Sequence, residues 1–223
     1  MTGPDATNIP GGKTVPYSDL QEGTVLGDGI VRCAGRAKKA AKKDLKLATW
    51  NVQTMLRPGK MMEIAEEMTK FDLDIVALQE IRWQSQGRIE KQNFTMYYSG
   101  PETRTGLFGT GFIINKKLKK HILAFDPVSD GICKLRIKCR LRNITIISVH
   151  APTEEKSNDD KEEFYDILKK TVEKSPKYDM KLILGDFNAK VGQETFMADV
   201  AGKFSLHEET SDNGRMLGQF AAS

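Results

Sequence analysis

The chain has 223 residues, 39% of them apolar and 29% charged, with a formal charge of +4. This is enough for one sizeable core, too little for two full domains, and too apolar for a disordered polypeptide. No apolar run approaches the length of a membrane span and the N-terminus lacks the apolar stretch of a secretory signal, so an intracellular protein, nuclear or cytoplasmic, is expected.

Residues 1–44 are rich in glycine and proline and show no sustained helical or strand period, which predicts a flexible leader ahead of a single domain over 45–223. The leader ends in Arg36, Lys38, Lys39, Lys42 and Lys43. Closely spaced cations attract phosphates or import receptors, and equally make an ordinary solvated face. Beyond them, short β-like runs alternate with amphipathic helical stretches, an α/β pattern. The runs are Leu47 to Trp50, Asp74 to Leu78, Phe94 to Tyr98, Gly111 to Ile114, Ile132 to Cys139, Ile144 to Val149 and Lys181 to Leu184. After Pro58 and Gly59, residues Met61, Ile64, Ala65 and Met68 form one apolar helical stripe, and Phe164, Ile167, Leu168 and Val172 form another.

Within the fifth run the alternation is strict. Cys133, Leu135, Ile137 and Cys139 share one face, and Lys134, Arg136, Lys138 and Arg140 share the other. Such a cation ladder suits a nucleic-acid backbone, and it also suits the protection of an exposed strand. The three cysteines, Cys33, Cys133 and Cys139, form no C-x-x-C pair, so they read as reduced thiols rather than a disulfide framework or a zinc site.

Polar clusters follow four of the apolar runs: Thr49-Trp50-Asn51-Val52, Leu78-Gln79-Glu80, Ser148-Val149-His150-Ala151-Pro152 and Leu184-Gly185-Asp186-Phe187-Asn188. Taken singly, each is what a turn or helix cap requires. Their shared position at strand ends, where α/β proteins carry reactive groups on loops, points to one site. Glu80, at the rim of an apolar strand, is costly to desolvate unless a cation or hydrogen bonds compensate. Magnesium takes one or two protein carboxylates and completes its shell with water and phosphate, which suits Glu80 with a distant second acid. Asp186 can orient or deprotonate water, and the Asn188 amide can bond a phosphate oxygen without adding charge.

In this order, T-W-N-V, L-Q-E-I, G-T-G-F-I-I-N, S-V-H-A-P-T and L-G-D-F-N-A resemble the endonuclease/exonuclease/phosphatase superfamily over roughly residues 46 to 190. With A-L-Q-E-I-R-W and D-N-G-R-M-L-G-Q-F added, the chain looks like the endonuclease domains of RTE-class retrotransposons and the craniofacial development protein 2-like host proteins. The resemblance implies a four-layer α/β/β/α sandwich of the deoxyribonuclease type, and a DNA endonuclease that uses magnesium, or manganese in its place, with no small-molecule cofactor. It makes Glu80 the metal ligand assisted by Asn51, His150 a phosphate stabiliser, and Asp186 and Asn188 the pair that positions water. Two departures stand out. Gln53 replaces the acid that abasic-site members carry two positions after Asn51, and the family's final D-Y-I-like and serine-aspartate-histidine motifs are not found, which predicts a C-terminally incomplete domain of doubtful activity. The alternative expectation is an inactive remnant that binds nucleic acid or a protein.

Overall fold

The computed structural model describes residues 24–26, 30–33, 44–103, 108–202 and 204–223. In chain order the elements are β1 (Thr24–Leu26), β2 (Ile30–Cys33), β3 (Leu45–Asn51), α1 (Lys60–Lys70), β4 (Ile75–Gln79), β5 (Gln86–Glu90), β6 (Phe94–Ser99), β7 (Thr110–Asn115), β8 (Ile122–Ser129), β9 (Ile132–Ile137), β10 (Ile144–His150), α2 (Asn158–Lys174), β11 (Met180–Asp186) and α3 (Asp212–Ala222). Short 3-10 turns cover Lys116–His121 and Thr195–Met197. One sheet has the order β1-β2-β3-β4-β7-β6-β5 and the other β11-β10-β9-β8. Among the described residues only β3–β4 and β10–β11 pair in parallel.

Three apolar layers hold the sandwich together. Between the sheets, Leu47, Ile75, Ala77, Phe112 and Ile114 meet Cys133, Leu135, Ile137, Ile144 and Ile146. On the outside of the larger sheet, Ile64, Ala65 and Met68 of α1 cover Val76, Leu78 and Ile113. On the outside of the smaller sheet, Phe164 and Leu168 of α2 cover Ile132, Ile147 and Val149, with Phe220 of α3 packed alongside. The result is the α/β/β/α arrangement that the sequence resemblance implies. Both helical stripes face inward, because a helix buries whichever face carries apolar residues at three- and four-residue spacing. The Ser157 hydroxyl starts α2 by accepting the Asp160 N–H.

Period-two alternation also prepares the site. On the inter-sheet face β3 presents Leu47, Thr49 and Asn51, β10 presents Ile144, Ile146, Ser148 and His150, and β11 presents Leu182, Leu184 and Asp186. Each series is apolar where its strand begins and polar where it ends. The parallel pairs bring these polar ends to one end of the sandwich. Just beneath them, Gln79 donates to the Ser148 hydroxyl at 3.1 Å and accepts from the Thr49 hydroxyl at 3.1 Å, a polar band between core and site.

Several elements differ from the sequence expectation. The leader shows two short strands, β1 and β2, which pair with each other and extend the sheet edge at β3; their Val25-Leu26 and Ile30-Val31 are good strand formers too short to register as a period. The leader cations at 36–43 lie outside the described residues. β9 stops at Ile137, two residues before the expected end, where its ladder with β10 ends at Ile144 and the Cys139 N–H goes instead to the Asn143 side-chain oxygen at 3.3 Å. β5, β8 and α3 appear where no element was expected. Cys133 is fully buried in the inter-sheet core, where burial pushes its thiol up to about 12.

Candidate active site

Five side chains from four strand ends meet at one end of the sandwich. The Asn51 amide nitrogen donates to Glu80 Oε1 at 2.9 Å and to Asp186 Oδ2 at 2.9 Å, so one amide joins carboxylates from the two sheets. Its oxygen accepts the backbone N–H of Gln53 at 3.0 Å. His150, paired in register with Asp186, brings Nε2 to 3.8 Å from Glu80 Oε1. Asn188 donates its backbone N–H to Asp186 Oδ1 at 2.9 Å and its side-chain N–H to the Ala151 carbonyl at 2.8 Å.

The backbone is bent to deliver these groups. Gln53, Glu80, Arg82 and Asn188 all have φ between 47° and 61°, a left-handed conformation that non-glycine residues adopt only where the surroundings impose it. Glu80 and Asn188 use it to leave the ends of β4 and β11 and turn toward the cleft. Gly185, with φ 154°, has a conformation that side-chain-bearing residues rarely adopt, and it serves close approach as well. A Cβ there would lie 2.0 Å from the Val149 carbonyl oxygen, so only glycine lets β11 come this near β10 before Asp186.

Electrostatics favour an ionised Glu80 beside a neutral His150. Burial, the largest effect on Glu80, disfavours its charge, but hydrogen bonds from Asn51 and Arg82 with the charges of His150 and Arg82 outweigh it and hold the carboxyl below its ordinary value. Burial also dominates at His150 and lowers its value; Glu80 and Asp186 pull the other way, and Arg82 adds to the fall. At pH 7 the imidazole is therefore neutral. Its Nδ1 is buried without a hydrogen-bond partner among the described residues.

Among the described residues no group of three or more His, Cys, Asp or Glu side chains closes into a metal cage. Glu80 offers a hard carboxylate oxygen, with Asp186 close by on the same Asn51 amide, and one or two carboxylates are what magnesium takes from a protein.

Two residues here were not among the sequence candidates. Arg82 donates to Glu80 Oε2 at 2.9 Å with its guanidinium side chain about a third exposed, which puts a cation at the mouth of the site. Its only sequence signal is its place two residues after Glu80. Asn213, in the first turn of α3, is 1% exposed and its side-chain N–H groups reach the Pro152 and Asn188 carbonyls, each at 2.9 Å. It thereby ties the loop after His150 to the loop carrying Asn188. The first of these loops is held from the other side by buried Lys161 of α2, whose ammonium donates to the Glu154 carbonyl at 2.8 Å. The D-N-G motif contained Asn213, but nothing local told which loops it joins. The basic ladder divides: Lys134 pairs with Asp126 at 3.0 Å and Arg136 with Asp179 at 2.7 Å, whereas Lys138 and Arg140 lie in the exposed loop after β9, at the opposite end from Glu80.

A family model described as the Endonuclease/Exonuclease/phosphatase family matches residues 48–207. Craniofacial development protein 2 of Bos taurus is 30% identical over 196 residues, 87% of this chain and 32% of that protein. The same-named protein of Tragulus javanicus is 30% identical over 179 residues, 80% of this chain and 31% of its own. The chain thus spans about a third of the length of these curated relatives. Among solved structures, the endonuclease domain of TRAS1, a telomere-specific non-LTR retrotransposon, is similar with a TM-score of 0.51 at 16% identity, covering 80% of this chain and 71% of that one. The AP endonuclease LMAP from Leishmania major is similar with a TM-score of 0.53 at 12% identity, covering 78% and 64%. At such identities these two likenesses describe the fold.

Proposed function

The chain belongs to the endonuclease/exonuclease/phosphatase family, and from that premise we propose that it is a magnesium-dependent phosphodiester hydrolase, the DNA endonuclease domain of a retrotransposon-derived protein. The observation that carries this reading is the single Asn51 amide bonded to both Glu80 and Asp186 at 2.9 Å, which brings carboxylates from the two sheets together at one place. DNA as substrate and the retrotransposon origin are supported by the ordered motifs, above all A-L-Q-E-I-R-W and D-N-G-R-M-L-G-Q-F.

In this reading Glu80, steadied by Asn51, would hold the magnesium ion. When bound, the ion supplies positive charge to a phosphate oxygen and to the charge that grows there in the transition state. Asp186 accepts a proton from the attacking water through its carboxylate, whose Oδ1 is oriented by the Asn188 N–H. Neutral His150 donates a ring N–H to a phosphate oxygen, and its burial keeps water from competing for that bond. Arg82 adds a fixed cation at the mouth of the cleft. These donors are in place before substrate arrives, so little reorganisation accompanies the chemical step.

Plasmid nicking with magnesium and with a chelator tests the proposal on the unaltered chain, Glu80→Gln and Asp186→Asn. Magnesium-dependent nicking that falls by about two orders of magnitude or more in each variant supports it. Nicking that survives the chelator, or persists undiminished in both variants, overturns it.

A further inference from the structure

The most uneven charge distribution lies at the end of the sandwich opposite the candidate active site. Three segments meet there: the 3-10 turn Lys116–His121 that follows β7, the loop 138–143 between β9 and β10, and the loop 175–179 before β11. Backbone hydrogen bonds join them into one surface, Lys138 N–H to the His121 carbonyl at 2.7 Å and Met180 N–H to the Asn143 carbonyl at 2.9 Å. The first two segments contain seven lysines and arginines and no acid.

Nearby acids neutralise only a few of these cations. Lys117 pairs with Asp72 at 3.4 Å and Lys119 with Glu90 at 2.7 Å. Asp179, the acid of the third segment, is taken by Arg136. That leaves Lys116, Lys120, Lys138, Arg140, Arg142 and Lys177 exposed and in no ion pair among the described residues. Two large side chains stand out from the same loops, Leu141 at 71% and Tyr178 at 88% exposure. A lone surface lysine is simply solvated. Six like charges on adjoining loops repel one another, and a polyanion lying across them relieves that repulsion while releasing its own counterions.

We propose that this end is a second nucleic-acid docking surface, separate from the candidate active site, which holds a phosphate backbone through the cations of loop 138–143 and of the turn at 116–120. The pattern is that of backbone binding: long flexible cations without a recognition helix or a cluster of amides, so it positions nucleic acid without reading sequence. The exposed Tyr178 ring gives a sugar or an unpaired base a flat apolar surface. Because the seven residues of β10 run from this end to the other, the two sites are separated by roughly 20 Å of strand.

The test needs no turnover. Fluorescence anisotropy with a 20-base-pair duplex of arbitrary sequence, in chelator and over a series of salt concentrations, compares four chains: unaltered, K138E/R140E/R142E, K116E/K120E and K169E/K170E. The triple variant is expected to bind about tenfold or more weakly and to lose roughly two to three units of salt slope, K116E/K120E to lose roughly one to two, and K169E/K170E, on the exposed side of α2 away from both sites, to stay within about twofold of the unaltered chain. Melting curves confirm that the exposed-loop variants stay folded. Unchanged affinity and slope in both loop variants overturn the proposal, as does an equal loss in K169E/K170E, which would trace the effect to net charge alone. A parallel series on phosphatidylserine vesicles separates the other polyanion: a loss confined to vesicles also overturns it. Absence of nicking would bear only on the hydrolase reading and leaves this measurement intact.

Discussion

The four strands β3, β4, β10 and β11 have very different surfaces at their two ends. Where they finish, the side chains are half-buried and spent on one another: Asn51, Glu80, Asp186 and Asn188 are linked by hydrogen bonds of 2.9 Å. Where they begin, the surface is a set of exposed cations with few partners. Charge density alone therefore does not make a reactive site. Carboxylates become useful when the fold supplies donors that keep them ionised in a partly dry cleft, as Asn51 and Arg82 do for Glu80, whereas lysines in water retain their charge without help.

Asn51→Leu should upset that contrast most, being a near-isosteric change that removes the amide and leaves Glu80 and Asp186 without their common donor. Magnesium-dependent nicking is expected to fall by about two to three orders of magnitude, the usual cost of removing one preorganised donor. Single-turnover kinetics with saturating DNA would show it as a loss in rate with binding little changed. A loss of DNA affinity with an unchanged rate would mean that the amide holds substrate rather than the carboxylates.

The next effect lies one layer further out. Asn213→Ala strands the Pro152 and Asn188 carbonyls in a buried place, which costs about 1 to 3 kcal/mol. It frees two site loops relative to each other, and outer-shell changes of this kind typically lower activity on the order of ten- to a hundredfold. Amide exchange at residues 151–154 and 187–190 should quicken while exchange in α1 stays as it was. Exchange that quickens evenly throughout the chain would assign Asn213 to stability alone. Gly214 next to it is equally constrained, since a Cβ would sit 2.0 Å from the Lys190 carbonyl oxygen.

At the opposite end the corresponding buried acid is Asp179, which accepts from Arg136 Nε at 2.7 Å and from the Thr145 hydroxyl at 2.8 Å. The Arg136 hydrogen bond is the main cause that holds its carboxyl below the ordinary 3.8; burial opposes, and Thr145 assists. A depressed folded-state value means that the unfolded chain takes up the proton first. The stabilisation is therefore present above about pH 4 and is lost as pH falls through the folded value. Asp179→Asn is expected to cost about 1.5 to 3 kcal/mol at neutral pH and to flatten the acid limb of a melting-temperature profile below about pH 4. Nicking per folded molecule should stay as it was, in contrast with the Asn213 variant. An acid limb as steep as the parent's would show that another carboxylate governs it.

The sequence made these four strands and the five motif residues readable because each apolar run ends in a conspicuous polar residue: β4 and β10 are buried along their whole length, and β11, at the edge of its sheet, still keeps Leu182-Ile183-Leu184 before Asp186. What it did not show depends on neighbours far along the chain. β5, with Gln86, Arg88 and Glu90 on its wetter face, and β8, broken by Pro127 and by two irregularities of register, are sheet edges with little apolar signal. α3 carries Gly214 and Gly218, which weaken its helical pattern but are needed where the helix meets Lys190 and Met197. Arg82 and Asn213 act through partners that no local pattern identifies. The even alternation of Lys134, Arg136, Lys138 and Arg140 hid their division, because the acids that claim the first two, Asp126 and Asp179, are 8 and 43 residues away in the chain.

That division leads to the subtlest measurement. Lys134 sits beside its Asp126 partner at 3.0 Å, with the acid's side chain about half exposed. A pair open to water gains little, because solvent screens the attraction and ordering two long side chains opposes it; Lys134→Ala should change stability by about 1 kcal/mol or less. Its charge is also already spoken for, so a phosphate backbone gains little by approaching it while Asp126 stays in place. DNA affinity of Lys134→Ala should therefore remain within about twofold of the parent, and the salt slope should change by less than the roughly 0.9 that one lost phosphate contact gives. Asp126→Asn is the complementary change: releasing Lys134 from its partner should raise the slope slightly and affinity with it. If instead Lys134→Ala weakens binding as much as Arg140→Ala, the ladder works as one continuous track along β9, and the line between paired and unpaired cations has been drawn in the wrong place.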